Sequence, residues 1–558
     1  DLHSFPTRRS SDLHIGKAKP TLFLHPMDRW HLYSEFKNGV NTGGDIEYVW
    51  LMSIIGIFVL LLACINFMNL STARSEKRAK EVGIRKAIGS LRRQLIGQFF
   101  SESLLVTFVA FLLSVTMTQI CLPFFNELSG KKMVLPWNVP GFWLVSVGFS
   151  FFVGLVAGSY PALYLSSFKP VKVLKGTFRV GRLAALPRKA LVVIQFSISV
   201  TLIICTITVF HQVQHAKNRP IGFDRNSLVT VYLQNNEVIK HYNEVRTEIL
   251  NTGFVTELAT TDVPITSTYT TNSGFEWPGK PPGFQEEFLT VRSTHELGQT
   301  IGWKVKAGRD FSKSFSTDTT AFILNETAVK YMGLKNPLGT EVIWGDDEKF
   351  TVIGVVEDLV TQSPYDPPKP TIFLVNLAWT SILNMKLNPQ TSASNAIAKI
   401  GSILKKYDSE NIIEFHFADE EIESKFANEE RIGKLASFFT ILAVFISCLG
   451  LFGLATFVAE RRNKEISVRK VLGASVAGLW RLQTKDFVVL VVISLFVAIP
   501  VAYYFMHGWL QNYQYRAALS WWIFATAASG ALLITIITVS FQAIKAAIAN
   551  PIKSLRTE

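Results

Sequence analysis

Seven stretches of this chain are apolar over a length that can cross a lipid bilayer, which takes about 20 residues of helix. They run over 48–70, 99–122, 142–165, 190–211, 434–458, 485–507 and 521–543. Between the fourth and the fifth lies a polar block, 212–432, long enough to form a domain of its own. The chain is 48% hydrophobic yet 18% charged. That is too apolar for an ordinary soluble protein and too charged for a bare helix bundle. The expected fold class is an α-helical polytopic membrane protein, with about seven transmembrane helices, carrying one extramembrane domain.

The net charge of +13 would be compatible with nucleic acid, but its distribution excludes that reading. Lys and Arg crowd into 71–98, 166–189 and 459–485, whereas the alternate loops carry only Lys131 and Lys132 in one and Arg516 in the other. Positive charge collects on cytoplasmic loops. The three basic loops and the C-terminus are therefore expected in the cytoplasm, with 212–432 on the outer side.

Two of the basic loops hold the same segment. Glu76 to Ser90 reappears as Glu460 to Ala474, shifted by 384 positions, with seven of fifteen residues identical. The repeat goes further. Lys169-Pro-Val-Lys-Val-Leu-Lys175 follows the third span, and Asn550-Pro-Ile-Lys-Ser-Leu-Arg556 follows the last. Each unit thus reads span, basic motif, span, short outer turn, span, basic tail. Written as a helix, the motif sets Ile84, Ile88, Leu91 and Leu95 on one stripe, and its copy does the same with Val468, Leu472 and Leu479. Glu81 with Arg85, and Glu465 with Arg469, are i,i+4 pairs in the favourable order. Gly89 and Gly473 stand where a glycine ends or bends a helix. A lipid anchor needs only positive charge. Recurrence of Glu, Arg, Lys and Gly at one spacing points to docking of a cytoplasmic partner.

Within the outer block, Ser227–Leu233, Lys349–Val356 and Thr371–Val375 have strand composition. Glu237–Leu250, Asn325–Met332 and Ser392–Tyr407 suit helices. Trp277–Phe284 is a loop by its Pro and Gly content. The block is expected to be α/β or α+β.

The run from Asn66 to Gly89 resembles the signature of FtsX-like/MacB-type ABC transporter permeases, in the double-length form with two such units per chain. Gly308-Arg-Asp-Phe311, Ile323-Leu-Asn-Glu-Thr-Ala328, Asn336-Pro-Leu-Gly339 and Val352-Ile-Gly-Val-Val356 resemble the MacB-like periplasmic core domain. The resemblance implies an extracytoplasmic α/β MacB-like domain at 212–432, after a transmembrane helix at 190–211. It implies a first FtsX-like unit at 48–189 with its motif at 75–90, and a second at 433–558 with its motif at 460–474. Residues 14–47 would be the remnant of a first outer domain, and 1–13 a foreign junction. The resemblance also implies ATPase contacts at Glu81, Arg85, Lys86 and Gly89, and at Glu465, Arg469, Lys470 and Gly473. Partners so implied are a cytoplasmic P-loop ATPase in two copies, the lipid bilayer, and a periplasmic adaptor or substrate protein, in a bacterial plasma (inner) membrane. The implied function is efflux or release of a substrate by mechanotransmission; the alternative is an FtsX-like signalling complex that controls an outer partner such as a cell-wall hydrolase.

Catalysis finds little support. No GxxxxGK[ST] loop occurs, so ATP is expected on the partner, with no cofactor here. His211 and His215 stand at i,i+4 without a visible third ligand, so a solvated helix end is expected rather than a metal site. Cys64, Cys121, Cys205 and Cys448 lie in apolar stretches as packing residues. Glu102 and Asp486 fall at equivalent places near the cytoplasmic ends, within reach of water or the basic loops. Gln195, Asn66 and Asn69 are expected to hydrogen-bond between helices.

Overall fold

The computed structural model describes residues 24–37, 39–75, 79–166, 186–345 and 348–548. The expectations for 1–13 and for the two Pro-containing basic tails lie outside them. Every one of the seven apolar stretches is a helix. In chain order, with the two short helices that follow the first and fifth, these are α1 (Ile46–Ser75), α2 (Ala79–Ala87), α3 (Arg92–Ser129), α4 (Pro140–Ser166), α5 (Leu186–Lys217), α6 (Ala427–Arg461), α7 (Asn463–Val471), α8 (Val476–Leu510) and α9 (Trp521–Ile548).

In lipid the hydrophobic effect does not draw helices together; close packing and interhelical hydrogen bonds do. The second unit uses both around α5. Val192, Phe196, Val200 and Ile204 of α5 share one buried cluster with Leu451 and Leu454 of α6, Phe487 and Val491 of α8, and Ala527 and Ala531 of α9. Along the α5–α6 seam the hydroxyls of Ser199 and Ser447 lie 2.8 Å apart, as do those of Thr206 and Thr440. In the first unit α3 packs on α4 and α4 on α1. Among the described residues no helix there takes the place that α5 holds in the second unit, and the most apolar part of α3 has no buried residue. The units meet along α1 and α6, where Ile55 and Leu62 bury with Ala443 and with Leu202 of α5.

The packing departs from two expectations, that Gln195, Asn66 and Asn69 hydrogen-bond between helices and that the cysteines are packing residues. Gln195 and Asn69 are buried at helix seams, but Asn66 Oδ1, Asn69 Oδ1 and Gln195 Nε2 have no hydrogen-bond partner. The cysteines are all unpaired, yet only Cys64 is buried and Cys121 is exposed.

The outer domain is a mixed sheet of eleven strands among the described residues. Its main path runs Phe415–Phe417, Leu228–Tyr232, Ile382–Leu387, Val255–Thr261, Phe288–Ser293, Thr371–Val375, Ala321–Asn325, Glu348–Val356 and Val305–Gly308. Thr371–Val375 and Ala321–Asn325 are buried at every residue, which matches their unbroken apolar runs. Thr371–Val375 pairs in parallel with Phe288–Ser293, and Glu348–Val356 in parallel with Ala321–Asn325. The helix Ala393–Tyr407 buries Ala396, Ile400, Ile403 and Leu404. These share a core with Val229, Val231, Leu383 and Met385 of the strands, an i, i+4, i+7, i+8 stripe over half of the sheet. The expected helix over Glu237–Leu250 is broken at His241 into Glu237–Lys240 and Tyr242–Asn251.

The motifs that carried the resemblance are scaffold. Asn325 caps the helix Glu326–Met332 by accepting from Ala328 N–H at 2.9 Å, and also accepts from Thr371 N–H at 2.8 Å. Arg309 forks onto the fully buried Asp318 at 2.7 and 2.6 Å.

Domain and bundle are joined at the top of α5. The buried Gln212 donates to Tyr515 O at 3.0 Å and accepts from Ala517 N–H at 2.7 Å, gripping the outer turn between α8 and α9. His215 stacks on Tyr515 with centroids 4.6 Å apart, and the Arg219 guanidinium lies 4.3 Å from the same ring. Arg219 also donates to the carbonyls of Pro364 and Asp366 in the domain. His211 meets Trp522 edge-on. The two histidines are thus aromatic packing groups, not a solvated helix end, and the described residues hold no cluster able to bind a metal.

Candidate functional site

The repeated motif folds twice into the same object. α2 and α7 are nine-residue helices, each between two membrane-length helices, and α7 sits at the end of α6 remote from the outer domain. Both stop in the same way. Gly89 has φ 107° and Gly473 φ 89°, a conformation that a side chain opposes. Ser90 N–H bonds Arg85 O at 2.9 Å, and Ala474 N–H bonds Arg469 O at 2.9 Å, so the glycine closes the last turn. The next helix then starts afresh, Ser475 accepting from Gly478 N–H at 3.2 Å.

That stop overturns the expected stripe. Leu95 and Leu479 are buried on the following helices, whereas Ile88 and Leu472 are 81% and 80% exposed. The residues that seat the short helices are Val82, buried with Leu95, Phe99 and Ala162, and its equivalent Ile466, buried with Leu479 and Ala547. Sequence reading passed over both. Their signal was an apolar residue at the same place in each copy, directly after the repeated glutamate.

The polar residues divide by role. Glu81 pairs with Arg85 at 2.7 Å and Glu465 with Arg469 at 2.7 Å, all four partly exposed. Arg85 also donates to Gln98 of α3 at 2.7 Å. Lys86 turns inward and donates to Ser166 O at 2.6 Å, while Lys470 donates to Ala547 O at 2.7 Å and Ile548 O at 3.1 Å. Each lysine therefore caps the C-terminal carbonyls of its own unit's last span, where a cation complements the helix dipole. Burial, with Arg92 adding to it, pulls the Lys86 ammonium below the ordinary lysine range. Asp486 is held by Arg462 at 2.9 Å, and Glu102 accepts from Gln98 at 3.2 Å. Each short helix is thus wedged under its unit by an apolar residue and a lysine. Its Glu–Arg pair and apolar end face outward.

A duplicated three-helix unit, a short helix under each copy, and a mixed-sheet domain inserted at the opposite end define a class of polytopic membrane protein. Comparison with known families makes this specific. The FtsX-like permease C-terminal family matches residues 53–170 and 437–551, and the MacB-like periplasmic core domain matches 190–403. The chain belongs to the FtsX/MacB-type ABC transporter permeases. Among its relatives, the macrolide export ATP-binding/permease protein MacB of Bdellovibrio bacteriovorus is 35% identical over 145 residues, 25% of this chain and 21% of that protein. The uncharacterized ABC transporter permease YknZ of Bacillus subtilis is 29% identical over 141 residues, 25% of this chain and 34% of that protein. The alignments thus span a fifth to a third of these relatives' length. The crystal structure of the periplasmic region of MacB from Actinobacillus actinomycetemcomitans aligns with a TM-score of 0.27 at 15% identity, over 39% of this chain and 98% of that one.

Proposed function

We propose that this chain is the permease subunit of an ATP-driven export or release complex of the bacterial inner membrane. The short helices α2 and α7 are seats for a separate cytoplasmic ATPase, one copy on each, with Glu81, Arg85, Lys86 and Gly89, and Glu465, Arg469, Lys470 and Gly473, as the groups that form them. The observation that carries this reading is one surface built twice: an outward Glu–Arg pair beside an exposed Ile88 or Leu472, on a helix whose other face is already buried. A helix serving only as a lipid anchor would turn its apolar face to the bilayer. Here Val82 and Ile466 are spent on the bundle. Lys86 and Lys470 tie each seat to the last span of its unit, and α6 runs from a seat to the outer domain. Movement of the ATPase is thereby passed along the helices to the outer domain, which acts on a substrate outside the membrane.

The test is co-purification in mild detergent from the native membrane. The wild-type chain is expected to bring down a P-loop ATPase, and Ile88→Asp with Leu472→Asp to lose at least tenfold of it, as is Glu81→Lys with Glu465→Lys. Retention of the ATPase by both double variants rejects the seats. Capture of an outer cell-wall hydrolase with the ATPase, and no exported molecule, would move the reading to signalling.

A further inference from the structure

Four parts of the molecule converge where the bundle meets the outer domain. Tyr48 lies in the first turn of α1 and Glu429 in the first turn of α6. Tyr365 comes from the outer domain, and Tyr513 from the turn between α8 and α9. The Tyr365 and Tyr513 rings are 4.9 Å apart at 57°. Phe426 is 5.9 Å from Tyr365, and Trp509 is 4.9 Å from Tyr513. Tyr515 N–H bonds Tyr365 O at 2.7 Å, which fixes the two loops side by side. The polar groups of this cluster lack the partners that burial demands. Tyr365 is 7% exposed, and its hydroxyl has no hydrogen-bond partner. The Glu429 charge acts on the hydroxyls of Tyr365, Tyr513 and Tyr48 alike, so the three lie around that carboxylate. Burial, and after it Glu429, hold the Tyr365 hydroxyl above the ordinary tyrosine range. Glu430 is paired with Lys217, whereas among the described residues no basic side chain pairs with Glu429. The 384-residue shift lays Asp45 on Glu429, and Asp45, Glu35 and Glu47 add their charges at Tyr48. Negative charge from both units is thus gathered around aromatic rings.

A buried hydroxyl or carboxylate without a partner is costly. A cation would satisfy both here, and the chemistry of the groups selects its kind. A divalent metal takes several carboxylate or carbonyl oxygens, and the described residues hold no cluster able to bind one. Aromatic faces instead attract a weakly hydrated cation. An ammonium brings up to three N–H donors, which match the Glu429 carboxylate and the tyrosine oxygens, and its alkyl part suits the rings of Phe426 and Trp509. We propose that Tyr48, Tyr365, Tyr513 and Glu429 form a binding site for an organic ammonium on the domain side of the membrane. The ammonium belongs to an ethanolamine lipid headgroup or to a dissolved amine. Either enters past Tyr48, Tyr513 and Glu429, which are partly exposed, to reach the buried Tyr365. The site stands whether or not an ATPase docks, because none of its groups belongs to α2 or α7.

The test uses the full chain in nanodiscs. In one arm the discs hold equal parts of phosphatidylethanolamine and phosphatidylglycerol, and native mass spectrometry counts the lipid that survives mild detergent extraction. In the other they hold phosphatidylglycerol alone, and ethylammonium chloride is titrated in by calorimetry, with sodium chloride as the control. Wild type is expected to retain the ethanolamine lipid over the glycerol lipid by roughly fivefold or more, or to bind ethylammonium saturably. The first result assigns the lipid headgroup as the source, and the second without the first assigns a dissolved amine. Glu429→Gln removes the charge and keeps the shape. Tyr365→Phe removes only the unpartnered hydroxyl, which should leave the melting temperature no lower. Each variant should weaken the signal by about fivefold or more. Neither signal in wild type, or a signal that either folded variant leaves unchanged, overturns the site. Should Glu429→Gln fail to fold, Tyr365→Phe decides alone.

Discussion

Lys425 stands between the outer domain and α6, and its Nζ donates to the carbonyls of Thr361 at 2.8 Å, Gln362 at 2.7 Å and Thr266. One side chain thus ties two loops of the domain to the root of the helix. Burial pushes its ammonium down from 10.5 to about 8, with Glu421 opposing. Between those values the unfolded chain holds the proton and the folded chain releases it, so stability rises with pH across that window. Below it both states are charged and the dependence disappears. Melting of wild type and Lys425→Met, compared at about pH 7.5 and about pH 9.5, should show wild type gaining on the variant at the higher pH. An unchanged gap would reject the assignment. No feature of the sequence around Lys425 marks it, because its acceptors lie far away in the chain.

At the scale of elements, the two short helices rest on their terminating glycines. No atom lies within 4 Å of a Cβ built on Gly89 or Gly473, so a side chain there meets no obstruction and acts through backbone strain alone. Gly473→Ala should cost about 1–2 kcal/mol locally. Hydrogen exchange of the α7 amides should speed up by roughly tenfold or more, with little change in the outer domain. Equal exchange in variant and wild type would show that the turn is not held by glycine conformation. The glycine stop, the Glu–Arg pairs and the seven spans were all legible in the sequence. The direction of Ile88 and Leu472 was not, since the stripe was drawn through a residue that ends the helix. Nor were the inward lysines, because Ser166 and Ala547 are brought to them only by the packing of α4 and α9.

For the whole molecule, the alternation of basic and neutral loops sets the orientation we propose, with the motifs inside and the domain outside. An impermeant thiol reagent applied to intact spheroplasts of a cysteine-free background should label Lys399→Cys, on the exposed face of an outer-domain helix. It should label Ala474→Cys, at the end of α7, only after the membrane is opened. The reverse pattern would invert the topology. The outer turn at Tyr515 belongs to the same scale: Gln212, His215 and Arg219 fasten it to α5 and to the domain, so domain, α5 and the α8–α9 pair are mechanically continuous.

The sequence by itself determined how many times the chain can cross a bilayer, that the crossing unit occurs twice, and that a domain of mixed strand and helix is inserted between the units. Length, apolarity and a 384-residue shift are properties of the chain alone. Only the tertiary structure decided which helix lies against which. A helix in lipid is apolar all round, so its periodicity does not mark a buried face. Its partner is chosen by the fit of side chains into hollows. That Asn66 and Leu70 lie against Gly450 and Gly453 depends on how α1 and α6 pack, which no pattern along the chain encodes.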